Sequence, residues 1–121
     1  MKIDCIRTHH LRDELEEPFG FSQWFYRTRN TLWVEIVADD GTTGWGECYG
    51  PAEVYQAAVT SFYGPRLLGL DPLATDRLWH NMWQWSLDFA RGGIMMGAMS
   101  GIDMALWDLK GKSLGLSVSD L

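Results

Sequence analysis

The stretch Thr31-Leu32-Trp33-Val34-Glu35-Ile36-Val37, followed by Asp39-Asp40-Gly41 and then Thr42-Thr43-Gly44-Trp45-Gly46-Glu47, decides the fold of this chain. Its first part is rich in β-branched and aromatic side chains, which fit a pleated strand. The Asp-Gly pair tolerates the positive φ angles of a tight turn, and a second strand-like run follows it. The sequence therefore predicts a β-hairpin over 31–47.

The residues before the hairpin divide into a short strand and a segment without period. Residues 2–11 begin with alternation of apolar and polar side chains and predict a first strand. From 11 to 30 no period is present, and Pro18 and Gly20 interrupt the segment, so we predict a long loop. Aromatic rings on such a loop need a partner, a ligand or another domain against which to bury. These rings belong to Phe19, Phe21, Trp24 and Phe25.

Three helices are predicted after the hairpin. The first covers about 53–63 and follows a turn that contains Pro51. The second begins at Asp71-Pro72, an N-cap residue followed by proline at the first helical position. The third runs from about 92 to 110. A strand, a long loop, a hairpin and then helices predict an α+β domain whose strands form a three-stranded antiparallel meander.

The third helix carries a stripe of small residues spaced four apart. Each interior glycine costs roughly 0.8–1 kcal/mol relative to alanine, so the stripe needs a compensating reason. Close packing of the helix against a sheet or another helix supplies that reason, and the substitution Gly97→Leu is expected to destabilise the fold. The stripe consists of Gly93, Gly97, Gly101 and Ala105. Gly111 and Gly115 are expected to end the helix.

Composition excludes several classes of function. The chain has 121 residues, of which 46% are hydrophobic and 21% charged, as expected for one globular domain. A formal net charge of −6 argues against a nucleic-acid partner. The apolar stretch 92–102 is too short to span a membrane, no segment resembles a signal peptide, and a cytoplasmic location is expected. Cys5 and Cys48 are expected to be buried free thiols.

Patterns of metal-ligating residues are incomplete. The neighbours His9-His10 would point to opposite faces of a strand, so we expect surface histidines. His80 and Asp76 share a helix face, but two groups do not complete a coordination shell. Asp108 and Lys112 have the spacing of an ion pair within a helix. No metal ligand and no catalytic residue is assigned to this chain.

Three parts of the sequence resemble the N-terminal capping domain of the enolase superfamily, in its mandelate racemase/muconate lactonizing branch. They are Val34-Glu35-Ile36 with 39–47, Leu68-Gly69-Leu70-Asp71-Pro72, and 98–112. The resemblance covers the whole chain. The runs 47–52 and Arg91-Gly92 look most like members that act on acid sugars, such as sugar-acid dehydratases and aldarolactone cycloisomerases.

The resemblance implies that residues 1–110 form a cap and that 111–121 begin the connection to a catalytic barrel beyond Leu121. Family members hold Mg²⁺ on carboxylates of that barrel, where the metal stabilises the enolate formed when a base removes the proton next to the substrate carboxylate. The full-length enzyme would thus use Mg²⁺ and a small carboxylate substrate, and it would form a homo-oligomer. This chain alone would bind no metal and be inactive.

In the family, the loop after the first strand and the loop after the hairpin close over the mouth of the barrel, where closure excludes water and shapes the pocket. The residues implied to contact substrate are Phe19, Phe21, Trp24 and Tyr49. Tyr49 is the strongest of them, because its phenol could hydrogen-bond a polyol. Packing of these rings within the cap itself is the competing interpretation. A stand-alone interaction or small-molecule binding module without catalysis is the alternative function.

Overall fold

The structure, a computed structural model, describes residues 1–89 and 91–121. The strands are β1 (Ile3–Phe21), β2 (Trp24–Ala38) and β3 (Thr43–Cys48). The helical elements are α1 (Ala52–Ala57), a π-helical segment (Ala58–Tyr63), α2 (Gly64–Leu67), α3 (Thr75–Ser86), α4 (Ile94–Leu114) and a short 3₁₀ turn (Val118–Asp120). The predicted α+β class is confirmed.

The strands form one antiparallel sheet in the order β1-β2-β3. The hairpin predicted over 31–47 is confirmed, and its turn is closed by the Ala38 N–H, which donates to the Thr42 carbonyl at 2.9 Å. Alternate side chains along β2 point toward the helices. Those of Leu32, Val34 and Ile36 are fully buried and form the sheet's contribution to the core.

The long loop predicted over 11–30 is wrong, because these residues form a two-stranded ribbon. β1 and β2 stay paired out to Phe21 and Trp24, with a register shift between residues 14 and 19. β3 pairs only with 32–37, so the ribbon extends beyond the three-stranded sheet. Side chains on both faces of the ribbon are largely exposed. The alternation that identifies a half-buried strand is therefore missing.

The first predicted helix is confirmed and longer than expected, because α1, the π-helical segment and α2 follow one another without a break. The Gly64 N–H donates to the carbonyl of Val59, five residues earlier, which is a π-helical bond. Pro65 follows and has no N–H to continue the ordinary bonding ladder. The local widening thus coincides with a position where the α-helical pattern is already interrupted.

The second helix begins at Thr75, so the predicted start at Asp71-Pro72 is wrong. The carboxylate of Asp71 instead accepts the Leu73 N–H at 3.0 Å. Such a bond to the backbone two residues later closes a turn and competes with helix formation. Leu78 and Met82, four residues apart on this helix, are fully buried.

α4 lies directly on β3 through small residues, as the stripe predicts. A Cβ atom added at Gly46 would lie 2.0 Å from the Gly101 carbonyl oxygen, and one at Gly44 would lie 2.0 Å from that of Ala105. Two backbones therefore touch where side chains would normally separate them. Gly93 is not part of this contact, because it precedes the helix with φ 68°.

α4 ends later than predicted, at Leu114 and not at Lys110. Gly111 lies inside the helix, whereas Gly115 adopts the left-handed conformation and ends it. The Leu116 N–H donates to the Gly111 carbonyl at 2.9 Å, and the Gly115 N–H donates to the Lys112 carbonyl at 3.2 Å. These two bonds are the Schellman arrangement that satisfies the last helical carbonyls.

Asp108 ties α4 to the outer edge of the sheet. Its carboxylate accepts the backbone N–H of Trp45 on β3 at 2.8 Å and also pairs with Lys112. The predicted ion pair within the helix is confirmed. β3 is an edge strand, and the bond to Asp108 satisfies a backbone donor of Trp45 that no neighbouring strand uses.

The two thiols differ in burial. Cys48 is fully buried beside α4, and burial raises its pKa to about 11. Cys5 is only partly buried, so the expectation of a buried thiol is confirmed for Cys48 alone. Within 1–89 and 91–121, no helix combines the length and apolar character needed to cross a membrane.

Candidate functional site

A pocket of about 450 Å³ lies where the ribbon faces the turn between β3 and α1. The ribbon contributes Arg12, Phe19, Tyr26, Thr28, Arg29 and Asn30 to its lining. The turn contributes Tyr49, Gly50 and Pro51. The pocket combines aromatic walls, hydroxyl and amide groups, and two guanidinium groups. Its described lining contains no carboxylate.

The structure brings together two of the four predicted substrate-contact residues. Phe19 and Tyr49 line the pocket from opposite sides. Phe21 and Trp24 pair at the tip of the ribbon, outside the pocket, and are 64% and 61% exposed. The predicted set is therefore split between a pocket and an outward-facing tip. Contact with substrate remains a prediction for all four.

Gly50 determines how the turn after β3 presents Tyr49. Its φ of 136° is a conformation that residues with a Cβ rarely adopt. A Cβ there would also lie 2.6 Å from the ring of Tyr55, which packs beneath the turn. The chain therefore leaves the buried strand abruptly, and Tyr49 is 74% exposed directly after the buried Cys48.

Arg29 connects the two walls of the pocket. Its guanidinium lies 5.6 Å from the ring centroid of Phe19 and 6.0 Å from that of Tyr49. A guanidinium within about 6 Å of an aromatic ring is attracted by the ring's quadrupole. These contacts hold a cation between the ribbon and the turn and leave its N–H donors available to a ligand.

Sequence reasoning missed Arg12 and Arg29 as site residues. Their only sequence signal is that they are cations in a segment that also carries Asp13, Glu14, Glu16 and Glu17. Without the strand pairing of the ribbon, nothing in the sequence places these side chains opposite Tyr49. The pairing of Arg12 with Asn30 supplies that placement for Arg12, whereas Arg29 pairs with Asp13 and is placed by the contacts of its guanidinium with the rings of Phe19 and Tyr49.

A second charged cluster lies on the sheet face that points away from the helices. Glu35 is 8% exposed and contacts His9 Nε2 at 2.9 Å and Arg7 Nη1 at 3.4 Å. The hydrogen bond with His9 lowers the pKa of the Glu35 carboxyl, and Arg7 adds to this effect, while burial opposes it. His10 contacts Asn30 instead. Both histidines thus have protein partners.

The described residues do not fit a Mg²⁺ site. Within 1–89 and 91–121, no three side chains of His, Cys, Asp or Glu come together in a way that could hold a metal ion. His80 Nδ1 donates to the backbone carbonyl of Asp76 at 2.7 Å, so this ring nitrogen is used within the helix. A multivalent cation needs several oxygen or nitrogen ligands around one point, and the described part of the chain brings no such set of side chains together.

Comparison with known proteins identifies the class to which this fold belongs. Residues 3–121 match the mandelate racemase/muconate lactonizing enzyme N-terminal domain family. The chain belongs to this family, the N-terminal capping domain of the enolase superfamily.

The sequence comparison finds relatives that are named as acid-sugar enzymes. The chain is 45% identical over 121 residues to the D-galactarolactone cycloisomerase of Agrobacterium fabrum, covering 100% of this chain and 32% of that protein. It is 44% identical over 124 residues to a D-galactonate dehydratase of Xanthomonas campestris pv. campestris, covering 100% of this chain and 28% of the relative.

A solved structure agrees with the sequence comparison. The 3,6-anhydro-D-galactonate cycloisomerase of Zobellia galactanivorans superposes with a TM-score of 0.82 at 40% identity, over 94% of this chain and 29% of that one. The chain thus spans about 30% of the length of each of these three relatives.

Proposed function

We propose that this chain is the substrate-specificity cap of a Mg²⁺-dependent lyase or isomerase that acts on acid sugars. The family and the names of the relatives support the acid-sugar class. The observation that carries the proposal is the pocket between the ribbon and the β3–α1 turn, because it offers hydroxyl, amide and guanidinium groups beside aromatic walls.

In this proposal the ribbon and the turn close over a catalytic barrel supplied by polypeptide beyond Leu121. Phe19 and Tyr49 contact the substrate in the pocket, and Phe21 and Trp24 contact it or the barrel mouth from the tip. Closure would bury rings that are now exposed and exclude water from the pocket. Polar contacts to the substrate become stronger when water is excluded.

The reaction would be dehydration, cycloisomerisation or racemisation that begins with removal of the proton next to a carboxylate. The catalytic groups and the Mg²⁺ ligands would come from the barrel, so this chain alone would be inactive. We propose a cytoplasmic homo-oligomer for the complete enzyme. Titration calorimetry of the 121-residue chain with Mg²⁺ should show no stoichiometric binding, and a tight site would contradict this division of roles.

The proposal is tested on the complete enzyme with a panel of hexonates, hexarates and their lactones. The variants Phe21→Ala and Trp24→Ala should raise KM for the accepted acid sugar, because they remove apolar surface that closure buries. Phe89→Ala is the matched control, since Phe89 is also exposed but lies outside the ribbon. Absence of turnover on every acid sugar, or tip variants indistinguishable from the control, would contradict the proposal.

The second candidate function is a stand-alone binding module without catalysis. The exposed rings at the ribbon tip favour it, because apolar patches of this kind mark interaction surfaces. Reading the gene beyond codon 121 separates the two candidates. An in-frame barrel with acidic strand ends supports the cap, and a stop codon with a stable monomer supports the module.

A further inference from the structure

The pocket is positively charged in a chain whose formal net charge is −6. Arg12 comes from β1 and Arg29 from β2, and no Asp or Glu belongs to the described lining. Two cations in one concavity of an acidic protein raise the local concentration of anions. The charge distribution therefore selects for an anionic ligand at this place.

Neither guanidinium forms an ion pair with a described acidic side chain. Among residues 1–89 and 91–121, no carboxylate oxygen lies within 4.0 Å of Arg12 or Arg29. This is informative because Asp13 stands directly opposite Arg29 in the strand register and could supply a partner. Arg29 contacts the rings of Phe19 and Tyr49 instead.

The groups around the two cations indicate the rest of the ligand. The pocket presents the hydroxyl groups of Tyr26, Thr28 and Tyr49 and the amide of Asn30. Hydroxyl and amide groups both donate and accept hydrogen bonds, as a polyol requires. Guanidinium groups present a planar set of donors that matches a carboxylate. The lining thus fits a carboxylate at the end of a hydroxylated carbon chain.

We propose that Arg12 and Arg29 bind a second carboxylate, at the end of the substrate remote from the reacting carbon. The enzyme then prefers dicarboxylic acid sugars over monocarboxylic acid sugars. This inference rests on the proposed function, in which the carboxylate next to the departing proton is held by the barrel beyond Leu121. It adds to that function a preference between dicarboxylic and monocarboxylic acid sugars.

The preference arises on closure. An ion pair at an open, solvated surface contributes little, so the cap alone would discriminate weakly. Once the pocket is closed, loss of a charge-assisted hydrogen bond corresponds to about tenfold to hundredfold in kcat/KM. A substrate with a terminal hydroxymethyl group would leave both guanidinium groups without a carboxylate partner.

The test uses the complete enzyme and pairs of hexarate and hexonate of matched stereochemistry, such as galactarate and galactonate. These two differ only in a terminal carboxylate against a hydroxymethyl group. Wild type should have the higher kcat/KM for the hexarate. Arg12→Gln and Arg29→Gln should lower that value by about tenfold to hundredfold and change the hexonate value by less than about threefold. Arg29→Lys should lower kcat/KM for the hexarate by a smaller factor than Arg29→Gln.

Arg27→Gln is the matched control, because Arg27 lies on the same strand but lines a different depression, beside Glu14 and Glu16. It should leave the hexarate preference unchanged. Turnover of acid sugars without a hexarate preference, or an equal loss on both substrates in the arginine variants, would overturn the inference and leave the proposed function standing. Absence of turnover on the whole panel would overturn the proposed function itself.

Discussion

At the scale of single residues, small side chains decide which surfaces of this domain can meet. Gly46 and Gly101 allow a strand and a helix to touch through their backbones. Gly97, one turn earlier on α4, faces the ring of Tyr55, which in turn lies beneath Gly50. The glycine stripe of α4 therefore packs against Tyr55, and Tyr55 in turn packs against the turn that carries Tyr49.

Gly97→Leu should destabilise the fold by overpacking. An added Cβ would lie 2.4 Å from Cε1 of Tyr55, a ring that is 7% exposed and has little room to move. We expect a loss of about 1–3 kcal/mol in the free energy of unfolding, seen as a lower urea midpoint. Ser100→Leu, at an exposed position of the same helix, is the control. An unchanged midpoint for Gly97→Leu would show that this face is not packed.

Glu35 should make the domain sensitive to acid. Its pKa is lowered from the ordinary value of 4.5, so its stabilising effect is present above that pH and is lost as pH falls through the lower folded-state value. The stability difference between wild type and Glu35→Gln should therefore be large at neutral pH and shrink below about pH 4.5. Urea unfolding across this range measures it, with Glu17→Gln as an exposed control. A pH-independent difference would contradict the expectation.

At the scale of elements, the hairpin was predictable because its strands lie in the sheet and carry the propensity of buried strands. The ribbon was not, because residues exposed on both faces are under no pressure to alternate. The start of α3 was missed for a local reason. Asp71 can cap a helix or close a turn, and only the bond to the Leu73 N–H shows which it does.

Asp108 should contribute more through the sheet than through its ion pair. Asp108→Ala removes the acceptor of the Trp45 N–H, and a lost hydrogen bond to a charged group costs about 1.5–3 kcal/mol. Lys112→Ala removes only the partly exposed partner on the same helix, which is worth about 0–1 kcal/mol. Thermal or urea unfolding of the two variants compares them. Equal losses would mean that the bond to the strand edge contributes nothing.

At the scale of the whole molecule, stability should fall from the sheet toward the ribbon tip. A two-stranded ribbon is marginally stable in water, whereas residues 32–37 are paired on both sides and packed under helices. Amide hydrogens in 11–30 should exchange much faster than those in 32–37. In the complete enzyme, an accepted acid sugar should slow exchange in the ribbon and leave 32–37 unchanged. Equal protection of 11–30 and 32–37 without ligand would contradict this decrease in stability toward the tip.

The candidate site was predictable only in part. Phe19 and Tyr49 were predicted from the position of their loops in the family, with the unburied rings of the first loop as a further reason for Phe19, and both line one pocket. The two arginines were not found, because their role depends on how the ribbon pairs and twists. The sequence pattern predicted the order of the sheet and the helices, but neither the pattern nor the family resemblance could give the contents of a pocket formed by residues far apart in sequence.

Because the ribbon extends two strands of the sheet, an insertion in β2 changes which face its side chains occupy. Neighbouring side chains on a strand point to opposite faces, so one extra residue between Tyr26 and Thr28, which both line the pocket, would turn Tyr26 to the other face. Two added residues in each strand would restore the facing and move the tip outward by about 7 Å. Relatives that accept longer or shorter molecules can therefore arise by paired insertions or deletions near the tip, while the hydrophobic interior stays untouched.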